Sequence, residues 1–156
     1  MHIHLIAVGT RMPSWVSQGY EDYARRLPHE CSLRLVEIPL GRRSRTQAPA
    51  QAVEEESRRM LAAIPERSLV VALDVGGRAW DTPALAVRLQ EWLQSGRDIV
   101  LLVGGPDGLS GDCLRRADLR WSLSALTLPH ALVRVVLAEQ LYRAWTIISG
   151  HPYHRS

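Results

Sequence analysis

Four side chains able to move a proton or hold an oxygen anion crowd into the last six residues, "HPYHRS" at 151–156: His151, Tyr153, His154 and Arg155. An imidazole titrates near neutrality and so can act as a general base under ordinary conditions. A phenol stacks on a flat ring or hydrogen-bonds a carbonyl, and a guanidinium grips a carbonyl or phosphate oxygen. Chain ends usually fray, so the segment reads either as a loose terminus or as a piece of a site. Two other stretches invite chemistry. "LVGGPDGLSG" at 102–111 is glycine-rich after an apolar run, but it is not G-x-G-x-x-G, and a dinucleotide-binding dehydrogenase is a poor fit. It reads as a tight turn, or as backbone open to a flat ligand where Gly104 and Gly105 carry no side chain. "WSLSALTLPH" at 121–130 is too apolar for an ordinary solvent loop. It reads as core, or as an apolar wall whose free N–H and C=O groups suit the edge of an adenine.

Other side chains exclude more than they suggest. All 19 basic residues are arginine, with no lysine in the chain. A Walker-A ATPase and a pyridoxal enzyme both need a lysine, so both classes are excluded. His2 and His4 share one face of a strand with no third ligand beside them, which argues against a metal site. Cys31 and Cys113 lack metal or disulfide spacing and read as buried small hydrophobes. The net charge of +3 permits a polyanionic partner without demanding one.

The elements that must position these residues alternate. Residues 3–8, 32–38, 68–74, 98–105 and 119–124 read as strands, the third and fourth being near-continuous apolar runs of the kind buried on both faces. Helical spacing marks residues 14–27 (Val16, Tyr20, Tyr23, Leu27), 50–64, 82–95 and 130–149. Asp81 or Thr82 caps the third of these with Pro83 at its first turn, Ser110 caps a short helix, and Gly96 and Gly150 are stops. "GGRAWDTP" at 76–83 reads as a turn, and "PLGRRSRTQAP" at 39–49 as a polar loop. The class is therefore α/β with a mostly parallel sheet, in one domain over 1–156. Ligands bind such sheets at the carboxyl ends of the strands, which directs attention to the loops after Leu73, Val103 and Ser124. No apolar run is long enough to span a bilayer and the N-terminus does not read as a signal peptide, so the expected location is the cytoplasm.

"LLVGGPDGLS", "WSLSALTLPHALVRVVLAEQLYRAW" and "HPYHR" resemble the ribosomal large-subunit pseudouridine methyltransferase family, within the SPOUT superfamily of knotted methyltransferases. "AVGTRMPSWV", "EIPLGRR" and "LDVGGRAWDTPALA" are similar too, so the resemblance spans the chain in order. It implies an α/β fold with a C-terminal trefoil knot, an S-adenosylmethionine site in that knot, and a homodimer whose partner subunit completes the site. The implied reaction is methylation of N3 of pseudouridine 1915 in 23S ribosomal RNA, in the assembled 70S ribosome. The implied cofactor positions are Leu73, Gly104, Leu123, Ser124, Ala125, Leu126, Thr127 and Leu128. These fall on the three loops that the strand-end rule picks out.

For that reaction His154 is the candidate base, Tyr153 a contact to the target base, and Arg143 or Arg155 a partner for a carbonyl or phosphate oxygen. His151 reads as a cap on the preceding helix, His130 as a shaper of the cofactor loop, and Trp80, Trp92 and Trp121 as core or dimer contacts. Arg42, Arg43 and Arg45 read as an RNA-backbone contact or as a solvated loop. Alternatives are a SPOUT enzyme acting on another RNA, such as transfer RNA, and a non-catalytic ribosome-binding factor. The first is disfavoured by the intact "HPYHR".

Overall fold

The computed structural model describes residues 1–46 and 48–155; Gln47 of the 39–49 loop and the terminal Ser156 lie outside the described residues. Five strands, β1 (His2–Val8), β2 (Ser32–Ile38), β3 (Leu69–Ala79), β4 (Ile99–Val103) and β5 (Leu119–Ser122), form one sheet in the order β2-β1-β4-β3-β5. Every strand pair is parallel. The helices are α1 (Ser14–Ala24), α2 (Pro49–Ala63), α3 (Thr82–Ser95), α4 (Gly111–Arg116) and α5 (His130–Ser149), with short 3₁₀ turns at His29–Cys31 and Pro152–Arg155.

Strand periodicity divides the interior into two layers. Ile3, Leu5 and Ala7 of β1 and Leu101 of β4 point to one face, where they meet Leu85 and Leu89 of α3 and Leu137 and Leu141 of α5. Ile6 and Val8, with Val100 and Leu102, point to the other, against Met60 of α2 and Cys113 of α4. All five residues of β4 are buried, as the continuous apolar run implies. Each fully buried aliphatic side chain contributes about 1.5–3 kcal/mol of transfer free energy, so these two layers fix where the strand ends lie. Both cysteines are buried and free.

The expected caps form. Asp81 Oδ1 accepts the Ala84 N–H at 2.9 Å and Ser110 Oγ accepts the Cys113 N–H at 3.1 Å. Gly96 and Gly150 close α3 and α5 in the left-handed conformation. One expectation is corrected. The stretch from Gly76 to Ala79 is not a turn but the continuation of β3, which runs to Ala79. Leu73 and Arg78 both lie opposite Trp121, so residues 74–77 bulge out and the strand then resumes beside β5. Gly77 makes this possible: a Cβ there would sit 2.6 Å from the backbone of Arg120 and Trp121. Trp80, beyond the bulge, stacks on Trp121 at 5.2 Å and meets the edge of Trp92 at 6.3 Å, so the three tryptophans are core.

Candidate functional site

A cleft of about 560 Å³ opens at the carboxyl ends of β3, β4 and β5. Leu73, Gly104, Leu123, Ser124, Leu126, Thr127 and Leu128 line it, whereas Ala125 is exposed and does not. The β3 bulge brings Asp74 and Val75 into the wall, and the first turns of α5 add His130 and Val133. Gly104 cannot carry a side chain, because a Cβ would lie 2.5 Å from the carbonyl carbon of Gly108. In the 123–128 run, Ser124 Oγ accepts the Leu126 N–H at 2.9 Å, which braces the loop. The backbone groups of Ala125, Thr127 and Leu128 make no hydrogen bond among the described residues. Bare N–H and C=O groups between apolar side chains form a surface able to read the edge of a heteroaromatic ring.

The cleft's charge is equally specific. Among the described residues, Asp74 is the one carboxylate that lines the cleft, and no arginine does. Burial, reinforced by Arg134 and opposed by Glu56, holds the His130 imidazole below the usual histidine range, so it stays neutral near pH 7. One carboxylate, one neutral imidazole and free backbone dipoles suit a ligand that carries positive charge. Arg134 sets this wall from behind. Its Nη2 donates to the Gly9 and Val8 carbonyls at 2.6 and 3.3 Å, and its Nη1 pairs with Glu37 at 2.7 Å. A guanidinium only 1% exposed needs such partners to offset its desolvation. Together they pin the start of α5 to the carboxyl end of β1.

The tail forms a second cluster. Residues Pro152–Arg155 make a 3₁₀ turn folded back on α5, not a loose end. Tyr153 Oη donates to Glu139 Oε1 at 3.2 Å, and its ring packs on Tyr142 at 4.7 Å. Arg143 pairs with the same Glu139 oxygen at 2.6 Å and lies over the Tyr153 ring at 5.0 Å. Burial, then the neighbouring Tyr23 and Glu139, raise the Tyr153 phenol above its ordinary range, so it is a hydrogen-bond donor and not a base. His154 Nδ1 is buried without a partner. His151 does not cap α5 with its ring. Its backbone N–H bonds the Thr146 carbonyl, while its Nδ1 accepts the Tyr153 N–H at 3.2 Å. Arg155 is exposed.

Tyr153 and Arg143 therefore meet, with His154 on the same turn, but not at the cleft. His130 and Arg143 are thirteen residues apart on one helix, about 20 Å at 1.5 Å per residue. Sequence reasoning missed Glu139, although its i,i+4 spacing to Arg143 was a usable signal. It also missed Asp74 and Arg134, which only the bulge and the buried helix face reveal.

The arginine loop divides. Arg43 turns inward, with Nη1 on Glu56 at 2.8 Å and Nε on Asp107 at 2.9 Å, while Arg42 and Arg45 stay exposed. His4 pairs with Asp98 at 2.9 Å and His2 with Ser32, at the opposite end of the sheet from the cleft. No cluster of three potential metal ligands occurs among the described residues, and none of their helices is long and apolar enough to cross a membrane.

A family model described as "Predicted SPOUT methyltransferase" matches residues 1–154, and the chain belongs to that family. Over 156 residues it is 64% identical to the ribosomal RNA large subunit methyltransferase H of Alkalilimnicola ehrlichii, covering 100% of both chains. It is 57% identical over 155 residues to the protein of the same name from Methylococcus capsulatus, covering 99% of this chain and 100% of the other. Among solved structures, a probable methylase family protein from Haemophilus influenzae shares the fold. Its TM-score is 0.54 at 14% identity, over 97% of this chain and 69% of that one.

Proposed function

We propose that this chain methylates large-subunit ribosomal RNA with S-adenosylmethionine as donor, at N3 of pseudouridine 1915 of 23S RNA in the assembled ribosome, and acts as a cytoplasmic homodimer. The observation that carries the reading is the cleft: apolar walls, unpaired backbone groups at Thr127 and Leu128, a single carboxylate and a neutral His130. These fit an adenine edge and a net-cationic sulfonium. The end-to-end likeness to ribosomal RNA methyltransferases supports the acceptor.

When bound, the donor supplies an electrophilic methyl group. Leu73, Gly104, Leu123, Ser124, Leu126, Thr127 and Leu128 would hold it and shut water away from it, while the expected position Ala125 lies outside the cleft wall. The remaining work is to align the acceptor nitrogen and take its proton, a task of orientation and acid–base chemistry. The Tyr153 hydroxyl, which donates its one proton to Glu139 in the free protein, turns that proton to a carbonyl oxygen of the target base when the base arrives. Arg143, held by the same carboxylate, offsets negative charge as the N3 proton leaves for His154. The deprotonated nitrogen would then be placed to accept the methyl group that the bound donor would supply, with the thioether as leaving group. The tail of one chain packs further along α5 and does not line that chain's own cleft, so in the homodimer the tail of one subunit serves the cleft of its partner.

The reading is tested by supplying the protein with radiolabelled S-adenosylmethionine and three acceptors: unmodified 70S ribosomes, free 23S RNA and transfer RNA. Label in ribosomes is expected. Label only in transfer RNA, or in none, contradicts the proposal.

A further inference from the structure

We infer that the shallow concavity between the 39–46 loop and α2 is a docking surface for the sugar-phosphate backbone of the RNA that carries the target nucleotide. The inference rests on the ribosomal RNA methyltransferase reading above. Leu40, Arg42, Glu55, Arg58 and Arg59 line the concavity, which holds about 660 Å³. It presents three guanidinium groups against one carboxylate, a local surplus far denser than the chain's overall +3.

The loop that displays Arg42 is held in place. Glu56, 2% exposed, accepts the Gly41 N–H at 2.9 Å, and Glu55 accepts the Arg42 N–H at 3.2 Å. Arg43 ties the next residue inward to Glu56 and across to Asp107. Arg43 is thus the frame, and Arg42 is what the frame presents. The Arg42 and Arg58 guanidiniums have no hydrogen-bond or ion-pair partner among the described residues, and Arg59 spends one donor on the Pro39 carbonyl at 3.3 Å. Glu54 lines a different hollow with Ser110 and Asp112, so it does not neutralise this one.

Position relates the concavity to the chemistry. Leu40, 50% exposed, packs over Gly105: a Cβ there would come within 3.5 Å of Leu40 Cδ2. Gly105 also lines the cleft. One residue therefore separates the concavity from the cleft, and a nucleotide presented at the cleft would carry its flanking phosphates across Arg42 and Arg58. Guanidinium forks match phosphate oxygens, and such contacts fix register without reading sequence.

The test compares the full-length protein with Arg42→Ala/Arg58→Ala and Arg42→Lys/Arg58→Lys in methyl transfer to unmodified ribosomes at several salt concentrations. The alanine pair is expected to raise KM for ribosomes about 10-fold and to lower the slope of log affinity against log salt by about 1–2, as for two lost phosphate contacts. It should leave kcat at saturating ribosomes and cofactor affinity as in the unaltered protein, and the lysine pair should keep most of the slope. Unchanged KM and slope overturn the inference. So does a raised KM with an unchanged slope, which points to a ribosomal protein or another uncharged contact. If the unaltered protein labels no ribosomes, the functional reading fails first and this inference falls with it.

Discussion

The cleft at the strand ends is walled by apolar side chains and bare backbone, whereas the turn at the end of α5 is a cluster of aromatic and charged side chains around one carboxylate, Glu139. The cleft is built directly onto the sheet. Its loops follow buried strands, Gly104 leaves no room for a substitute, and Arg134 pins α5 behind it. The tail is held by one backbone hydrogen bond to Thr146 and by Tyr153, which packs on Tyr142 and Glu139 of α5 and beside Tyr23 of α1. The contrast is a division of labour under the proposed function: the region proposed to hold the donor is built into the core, and the region proposed to meet RNA is laid on the surface.

Changes that separate the two regions sharpen that contrast. Deleting residues 151–156 should lower methyl transfer by at least about 100-fold, the scale of losing acid–base and electrostatic assistance together, with cofactor affinity within twofold by calorimetry. Gly104→Ala should do the reverse. Its Cβ would meet the Gly108 carbonyl carbon at 2.5 Å and force the loop to move, so cofactor affinity should fall about 10-fold or more while the tail stays docked. Glu139→Gln removes the charge that holds both Arg143 and Tyr153. It should cut kcat by about 10-fold and leave cofactor affinity unchanged, since it loosens the geometry without deleting a reacting group.

Acidity acts on the cleft side. The His130 imidazole is held low, so the folded state binds fewer protons there than the unfolded chain. Its contribution to stability is complete above about pH 6.5 and is lost as pH falls through the depressed folded value. Protonation also places a cation in a cleft suited to a cationic donor, so cofactor affinity should weaken over the same acidic range. Titrations between about pH 5 and 8 should show this, and His130→Gln should flatten it. The smallest effect is expected from Asp107→Asn, which releases Arg43 from the loop after β4. The pair is partly exposed and worth about 0–1 kcal/mol, so cofactor affinity should fall by no more than a few-fold, with the melting temperature unchanged.

Much of this was legible in the residues. Alternation marked β2 and near-continuous apolar runs marked β3 and β4, and the succession of strands and helices implied a parallel sheet whose carboxyl edge carries the ligand loops. Asp81, Ser110, Gly96 and Gly150 behave as their types dictate. "GGRAWDTP" was misleading because paired glycines signal a turn, and only the backbone of Arg120 and Trp121 lying against Gly77 makes them a bulge in a strand. Asp74 enters the cleft by that bulge. Arg43 and Arg42 are adjacent and chemically identical, yet one is framework and the other surface, because the partners that capture Arg43 lie 13 and 64 residues away. The docking of the tail depends on Tyr142 and Glu139, which look like ordinary helix residues until the turn folds over them.

The central claim is that a tail from one subunit serves the cleft of the other. It is tested most directly by co-expressing two differently tagged chains, one carrying Gly104→Ala and the other lacking residues 151–156, and assaying the purified mixed dimer. At S-adenosylmethionine concentrations that fill the unaltered cleft but not the Gly104→Ala cleft, each parent alone should be nearly inactive. The mixed dimer contains one intact cleft and one intact tail on different chains, and should regain methyl transfer to ribosomes at up to about half the unaltered rate, one working site of two. A verified mixed dimer that binds S-adenosylmethionine yet stays as inactive as its parents would contradict the account.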